Sequence, residues 1–334
     1  MYEVTPHLSL IIPVYNRPNE VEELLDSLTR QNETNFEVVI VEDGSKETCL
    51  HVAETFKDKL DVSYFYIPNG GPGNARNYGA KQSKGDYLIV LDSDCILPPG
   101  YIQSVNKELE ETGADAFGGP DKASDSFTDI QKAINYSMTS FFTTGGIRGG
   151  KKKMDKFYPR SFNMGIRRST YEALNGFSAM RFGEDIDFSI RLFKNGYKVC
   201  LFPSAWVYHK RRTDWRKFFR QVYNSGIARI NLYKKYPDSL KLVHLLPAAF
   251  TVGVLFLLLG SLFCTWSLLP LGLFCLLIFT DSSIQNKSIK IGLLSIIASF
   301  IQLFSYGCGF LDAAWNRLVR RKEEFSAFQK TFYK

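Results

Sequence analysis

LIVLDSDCILPPG, residues 88–100, runs from an apolar stretch into two carboxylates and then into a proline turn. Leu88, Ile89, Val90 and Leu91 have the length and branching of a buried strand, and that strand stops at Asp92-Ser93-Asp94. Side chains at i and i+2 of an extended segment point the same way. Asp92 and Asp94 can therefore converge on one spot, where their repulsion needs an offsetting cation. Taken alone, the stretch reads equally well as a solvated turn, since Asp-Ser-Asp ahead of Pro98-Pro99-Gly100 is ordinary loop chemistry. The flanking segments decide between the two.

Upstream, Leu8 to Val14 reads as a strand, and after Pro18 the residues Val21, Leu24, Leu25 and Leu28 recur at helical spacing. Phe36 to Val41 is a second strand ending in Glu42-Asp43-Gly44-Ser45. A helix over 51–56, a strand over 62–67, a helix over 74–81 and the strand 87–91 follow. This alternation predicts an α/β fold with a parallel, doubly wound sheet, whose ligand crevice lies outside the carboxyl ends of the strands. Glu42-Asp43 and Asp92-Ser93-Asp94 would then face one crevice. Between them in sequence, the turn Asn69-Gly70-Gly71-Pro72-Gly73-Asn74-Ala75-Arg76 suits close approach of a phosphate, and Arg76 adds a planar donor fork. The Gly-Lys-Ser/Thr of a phosphate-binding loop is absent. The first strand leads into Tyr15-Asn16-Arg17-Pro18 rather than a dinucleotide fingerprint, so kinase-like and dehydrogenase-like readings lose ground.

The chain has 334 residues and a net charge of +7. Its six cysteines show no metal-ligand or disulfide spacing. Basic residues cluster at Lys151, Lys152, Lys153 and Lys156, and again at Arg211, Arg212, Arg216, Lys217 and Arg220. Such patches suit lipid headgroups or phosphorylated substrates, and no nucleic-acid partner is expected. From Leu242 to Thr280 there is no Asp, Glu, Lys or Arg, and a second charge-free run covers Ile291 to Leu311. The first run is nearly twice what is needed to cross a bilayer core of ~30 Å, so three membrane helices are expected, over about 242–262, 266–281 and 290–311. The expected order is a catalytic domain over 1–212, an interfacial helix over 213–240, membrane helices over 241–311 and a basic tail over 312–334. No signal peptide is read at the start, and a cytoplasmic catalytic domain on the inner membrane, with a multi-pass anchor, is the expectation. One conflict follows. Three crossings put the tail outside, yet Arg317, Arg320, Arg321 and Lys322 favour the cytoplasm.

The blocks SLIIPVYNRP (9–18), VVIVEDGS (38–45), GPGNARNYGA (71–80), GDYLIVLDSD (85–94), FNMGIRRSTYEALNGF (162–177) and GEDIDFSIRL (183–192) together resemble the family 2 glycosyltransferases of GT-A fold, in the form of a membrane-anchored bacterial-type member. The resemblance covers about residues 8–210. It implies that Asp43 reads the nucleobase, with Pro13, Tyr15 and Arg76 around the base and diphosphate. It implies that Asp92 meets the ribose and Asp94 ligates Mg²⁺ or Mn²⁺. Glu184-Asp185 match the pair that holds the general base, assigned to Asp185, for an inverting attack at the anomeric carbon. Without the resemblance, Glu184, Asp185 and Asp187 read as an acidic helix N-terminus. Asn163, Met164 and Gly165 correspond to positions shaping the acceptor site, and His209 to a position that adds a metal ligand in some relatives. The Gln-x-x-Arg-Trp motif of processive synthases is not reproduced at Arg220-Gln221-Val222-Tyr223-Asn224, which favours transfer of one sugar per encounter.

The reading is therefore a metal-dependent hexosyltransferase that moves a sugar from a UDP- or GDP-sugar in cell-surface polysaccharide synthesis. The alternatives are a non-catalytic nucleotide-sugar or lipid-binding scaffold and a nucleotidyltransferase. Trp215, Phe218, Phe219, Val222, Tyr223, Ile227, Ile230 and Tyr233 recur at helical spacing among cations, the pattern of a helix lying in a membrane interface. That placement predicts a polyprenyl phosphate- or diphosphate-linked acceptor, its phosphate met by Arg211, Arg212 and the Lys151–Lys153 loop.

Overall fold

The computed structural model describes residues 6–122, 127–144, 157–180, 182–210 and 212–323. Residues 6–122, 157–180 and 182–209 form one compact unit, and the remaining described residues form a second.

In the first unit the strands β1 (Leu8–Val14), β2 (Phe36–Asp43), β3 (Val62–Ile67) and β4 (Tyr87–Leu91) alternate with helices α1 (Pro18–Thr29), α2 (Leu50–Phe56) and α3 (Pro72–Gln82). The seven-stranded sheet also takes in β6 (Ala116–Gly118), β8 (Asn163–Arg167) and β9 (Val199–Leu201), in the order β3-β2-β1-β4-β8-β6-β9. The β3-β2-β1-β4 half is parallel, as the sequence predicts, but β8 pairs antiparallel with both β4 and β6. The sheet is mixed. A smaller sheet joins β5 (Cys95–Ile96), β10 (Val207–His209) and β7 (Asp121–Lys122) in the order β5-β10-β7.

Strand alternation sorts the apolar side chains to two faces. Leu10, Ile12, Ile89 and Leu91 pack with Leu24 and Leu28 of α1 and with Val105 of α4 (Tyr101–Thr112). Ile11, Leu88, Val90 and Met164 pack on the other face with Tyr171 of α7 (Arg168–Ala173), with Phe177, and with Phe188 of α8 (Glu184–Lys194). The same alternation separates Glu42 from Asp43. Glu42 is buried and accepts from Ser45 Oγ, from the Cys49 backbone N–H at 2.8 Å and from Tyr64 OH at 3.3 Å, so it does not share the crevice expected for both acids.

Gly165 leaves no room for a side chain, because a Cβ there would stand 2.0 Å from Cε1 of Phe117, itself stacked on Phe202 at 4.3 Å. Gly165→Ala should therefore lose about 1–3 kcal/mol of stability to overpacking, read as a lowered unfolding midpoint.

The second unit is helical: α5 (Asp129–Thr139), α6 (Phe141–Thr144), α9 (Trp215–Lys235), α10 (Leu246–Gly260), α11 (Leu269–Asn286) and α12 (Ile289–Ala314). Two helical segments, Thr265–Asn286 and Ile289–Val319, are long and apolar enough to cross a membrane, and Leu246–Gly260, at 15 residues, is shorter. Of the three expected spans, two are thus matched by helices of sufficient length and composition, and the third falls on a shorter helix. Ser295, Ser299, Ser305, Gly307 and Gly309 of α12 are all buried against its neighbours. A Cβ on Gly309 would stand 2.1 Å from the Tyr223 carbonyl, and one on Gly226 would stand 2.3 Å from that of Tyr306. Small residues let α9 and α12 touch backbone to backbone. The apolar face of α9 accordingly packs on protein: Phe218, Val222 and Ile230 are buried among unit-two side chains, while Phe219 stays exposed.

Candidate active site

The loops at the carboxyl ends of β1, β2 and β3 are locked to one another. Asn16 adopts φ 52°, a left-handed conformation that asparagine tolerates, and its Oδ1 accepts from the backbone N–H groups of Lys46 (2.8 Å) and Glu47 (3.0 Å). Asp43, at the end of β2, accepts from the N–H of Gly70 at 2.7 Å and of Gly71 at 2.9 Å, and Asn69 Nδ2 donates to its carbonyl at 2.7 Å. Burial pushes its carboxyl up and the two N–H donors pull it down. Asp43 thus fixes the glycine turn. Pro13 and Tyr15 stand half-buried at the end of β1.

Arg76 crosses the site from α3. It is buried, donates from Nη2 to Asp92 Oδ1 at 3.0 Å and from Nη1 to Glu184 Oε1 at 2.7 Å, and lies 5.5 Å from the Phe177 ring centroid. Burial works to raise the Glu184 carboxyl, and the Arg76 charge opposes it. This ties the end of β4 to the first turn of α8, so Asp92 and Asp185 belong to one cluster. Arg76→Ala would leave the buried Glu184 carboxylate uncompensated, an expected loss of about 3–5 kcal/mol, visible in thermal unfolding of the purified protein.

Asp94 sits between Arg17 and His209. Arg17 Nη1 is 2.5 Å from Oδ2 and His209 Nε2 is 3.2 Å from Oδ1. The His209 contact follows from register, because β5 and β10 pair Cys95 with His209. Its ring stacks on Phe162 with centroids 4.9 Å apart. Asp94, Cys95 and His209 bring one ligand-type atom each within 4.8 Å of the others. Cys95 is buried, its thiol donates to the Phe162 carbonyl at 3.4 Å, and burial pushes it well above the usual thiol range, so it stays protonated. The oxygen of Asp94 and the nitrogen of His209 remain as donors. Two neighbouring ligands of an octahedral ion with bonds of about 2.1 Å lie about 3.0 Å apart, and the 3.2 Å seen here fits that edge.

Asp185 lies in the first turn of α8 and is nearly buried. Its Oδ1 accepts from the Ile186 N–H at 2.8 Å, and Arg160 Nε stands 3.1 Å from Oδ2. Asp187 is structural: fully buried, it pairs with Arg191 at 2.9 Å, which also donates to the carbonyls of Leu174 and Gly176.

Three expected acceptor residues are spent inside the sheet. Asn163 accepts from Tyr101 OH at 2.6 Å and donates to the Ala205 carbonyl at 2.8 Å, Met164 is core, and Gly165 is closed by Phe117. Their side chains do not reach a crevice. Arg211 and the Lys151–Lys153 loop lie outside the described residues, and Arg212 is a half-buried residue of the second unit. Arg17 and Arg160, which hold Asp94 and Asp185, were not singled out as site residues from sequence. Arg17 lay inside the first motif, and Arg160 stands two residues before another, with no spacing to mark it.

Residues 9–174 match the family model described as Glycosyl transferase family 2. The chain is similar to an uncharacterised glycosyltransferase of Rickettsia typhi, 42% identical over 99 residues covering 30% of each chain. It is also similar to the poly(ribitol-phosphate) beta-N-acetylglucosaminyltransferase TarS of Staphylococcus aureus, 41% identical over 32% of this chain and 19% of TarS. The match thus spans under a third of each of these two relatives. Among solved structures, the mannosyltransferase PcManGT of Pyrobaculum calidifontis, in complex with GDP-Man and Mn²⁺, is 16% identical with a TM-score of 0.65 over 94% of this chain and 88% of its own. That likeness bears on fold.

Proposed function

This chain is a family 2 glycosyltransferase, its domain spanning residues 9–174, and from that premise we propose that it transfers a sugar, with inversion, from a nucleoside-diphosphate sugar to a lipid-linked acceptor at a membrane in cell-surface glycan synthesis. The observation that carries the reading is the Arg76 bridge. It holds Asp92 and Glu184, residues 92 apart in sequence, in contact, and so sets the Asp185 turn beside Asp92-Ser93-Asp94.

In this reading the nucleotide lies over the carboxyl ends of β1 and β2, against Pro13, Tyr15 and the glycine turn braced by Asp43. Asp92 takes the ribose. Asp94 and His209 would hold Mg²⁺ or Mn²⁺, and Arg17 orients Asp94 by occupying its other oxygen. When bound, such a hard cation supplies Lewis-acid stabilisation of the departing diphosphate. Asp185 takes the acceptor hydroxyl proton, with Arg160 and the Ile186 N–H fixing its carboxylate plane. Arg211 and Arg212 are the proposed acceptor-phosphate contacts. The Mn²⁺ and GDP-Man bound by the Pyrobaculum enzyme support the donor and metal classes.

A donor screen with the purified protein in detergent tests the proposal. Nucleoside diphosphate should be released from one UDP- or GDP-sugar when membrane lipid extract is supplied, and not with water-soluble sugars. Equal turnover with soluble acceptors would remove the lipid-linked part of the reading.

A further inference from the structure

α10 and α11 of the second unit form a hairpin, closed where Ser267 Oγ donates to the Leu257 carbonyl at 3.0 Å. Lys241 precedes it, Asp281 and Lys287 end it, and between Leu242 and Thr280 there is no Asp, Glu, Lys or Arg. Its turn is strongly exposed: Phe263 is 93% exposed, Leu262 77% and Trp266 76%. The turn of a hairpin that crosses a bilayer must emerge into water on the far side, and Leu262-Phe263-Cys264-Thr265-Trp266 offers no charge for that. The arms are also short. The 15 residues of α10 rise about 22 Å, and the uncharged part of α11, Leu269 to Thr280, rises about 18 Å against a hydrocarbon core of ~30 Å, so α11 would cross only with Asp281 drawn into that core.

α12 has the length to cross, but its neighbours do not allow it. α9 runs beside it in the same direction: a Gly226 Cβ would meet Tyr306 and Phe310, Tyr223 OH donates to Asp312 at 3.0 Å, and Arg317 donates to Asn231 at 3.1 Å. In that register the exposed Arg216, Lys217, Arg220 and Gln221 of α9 fall beside the middle of α12. A crossing α12 would carry three exposed cations to the bilayer centre. At the start of α12, Lys290 pairs with Asp129 of α5 at 2.8 Å, and Tyr136 of α5 donates to Asp281 at 2.6 Å. Below its turn the hairpin packs on α12 through Thr251 under Gly307, Phe250 and Phe274 against Phe300, and Ser282 donating to Ser295 at 2.7 Å.

We propose that the second unit is a monotopic anchor whose α10–α11 hairpin dips tip-first into a lipid bilayer from one face, while α9 and α12 lie along the surface and nothing between Trp215 and Val319 crosses. The proposal rests on the membrane reading above and specifies its depth and side. The partner is a bilayer with anionic headgroups, because Lys241 precedes the hairpin and Lys287 and Lys290 follow it. It also removes the charge conflict in the sequence: without a crossing, the basic residues after Val319 stay on the side of the catalytic unit.

The test uses the full chain with Cys200, Cys275 and Cys308 replaced by Ala. This leaves Cys264 in the hairpin turn as the exposed thiol, Cys49 and Cys95 being buried. The protein is floated with vesicles of phosphatidylglycerol and phosphatidylcholine. A fluorophore on Cys264 should be quenched most by nitroxides set deep in the acyl chains, and unlabelled Cys264 should resist a membrane-impermeant maleimide added to either face. Without vesicles the same thiol should react. Lys322→Cys and Lys107→Cys, placed in separate copies, should react from the same face. Reaction of Cys264 from the face opposite Lys107→Cys would overturn the proposal while leaving membrane attachment standing. Failure to float with vesicles, or protection of Cys264 by self-association without lipid, would remove the membrane reading and the proposal together.

Discussion

Asp185→Asn is expected to lower the transfer rate by about 10² to 10⁴ while leaving donor affinity nearly unchanged. The substitution keeps the shape, and the amide still accepts from the Ile186 N–H that the carboxylate uses, so the α8 turn is preserved. What is lost is the proton acceptor. A rate loss of that size corresponds to about 3–5 kcal/mol of transition-state stabilisation. Single-turnover rates and calorimetric titration with the donor separate the two quantities. Collapse of donor binding with residual turnover intact would make Asp185 a binding residue.

Asp94→Ala carries the other large effect, abolition of transfer together with loss of metal-dependent donor binding. The substitution removes the oxygen that His209 approaches at 3.2 Å, and it strands Arg17, whose partner it is. A diphosphate beside Asp92 and Asp185 would then lack its cation, the arginines there being already engaged with those carboxylates. Chelation with EDTA should reproduce the defect in the unsubstituted protein, and Mn²⁺ or Mg²⁺ should restore activity there but not in the variant. Full activity in EDTA would break the link between Asp94 and a metal.

Much of this site is legible along the chain because strand ends carry it. The apolar run 88–91 fixes β4, and its end fixes where Asp92 and Asp94 stand. The mixed half of the sheet was not legible, since β6 and β9 have three residues each and show no periodicity. Asn163, Met164 and Gly165 illustrate the cost: inside an antiparallel β8 their side chains serve the sheet, and a motif alone does not reveal which way they point. Ion pairs such as Arg17 with Asp94 and Arg160 with Asp185 join residues far apart in sequence, so only the fold discloses them. In the helical unit, an apolar face looks the same in sequence whether lipid or another helix covers it. Gly307 and Gly309 of α12 are sites where neighbouring atoms leave no room for a side chain.

The most direct measurement follows phosphorus in the reaction of the purified protein with its donor, lipid extract and Mn²⁺. Release of free nucleoside diphosphate in step with sugar transfer, suppressed by Asp94→Ala and slowed by Asp185→Asn, is the predicted result. Pyrophosphate as the product, or donor binding without any release, would contradict it.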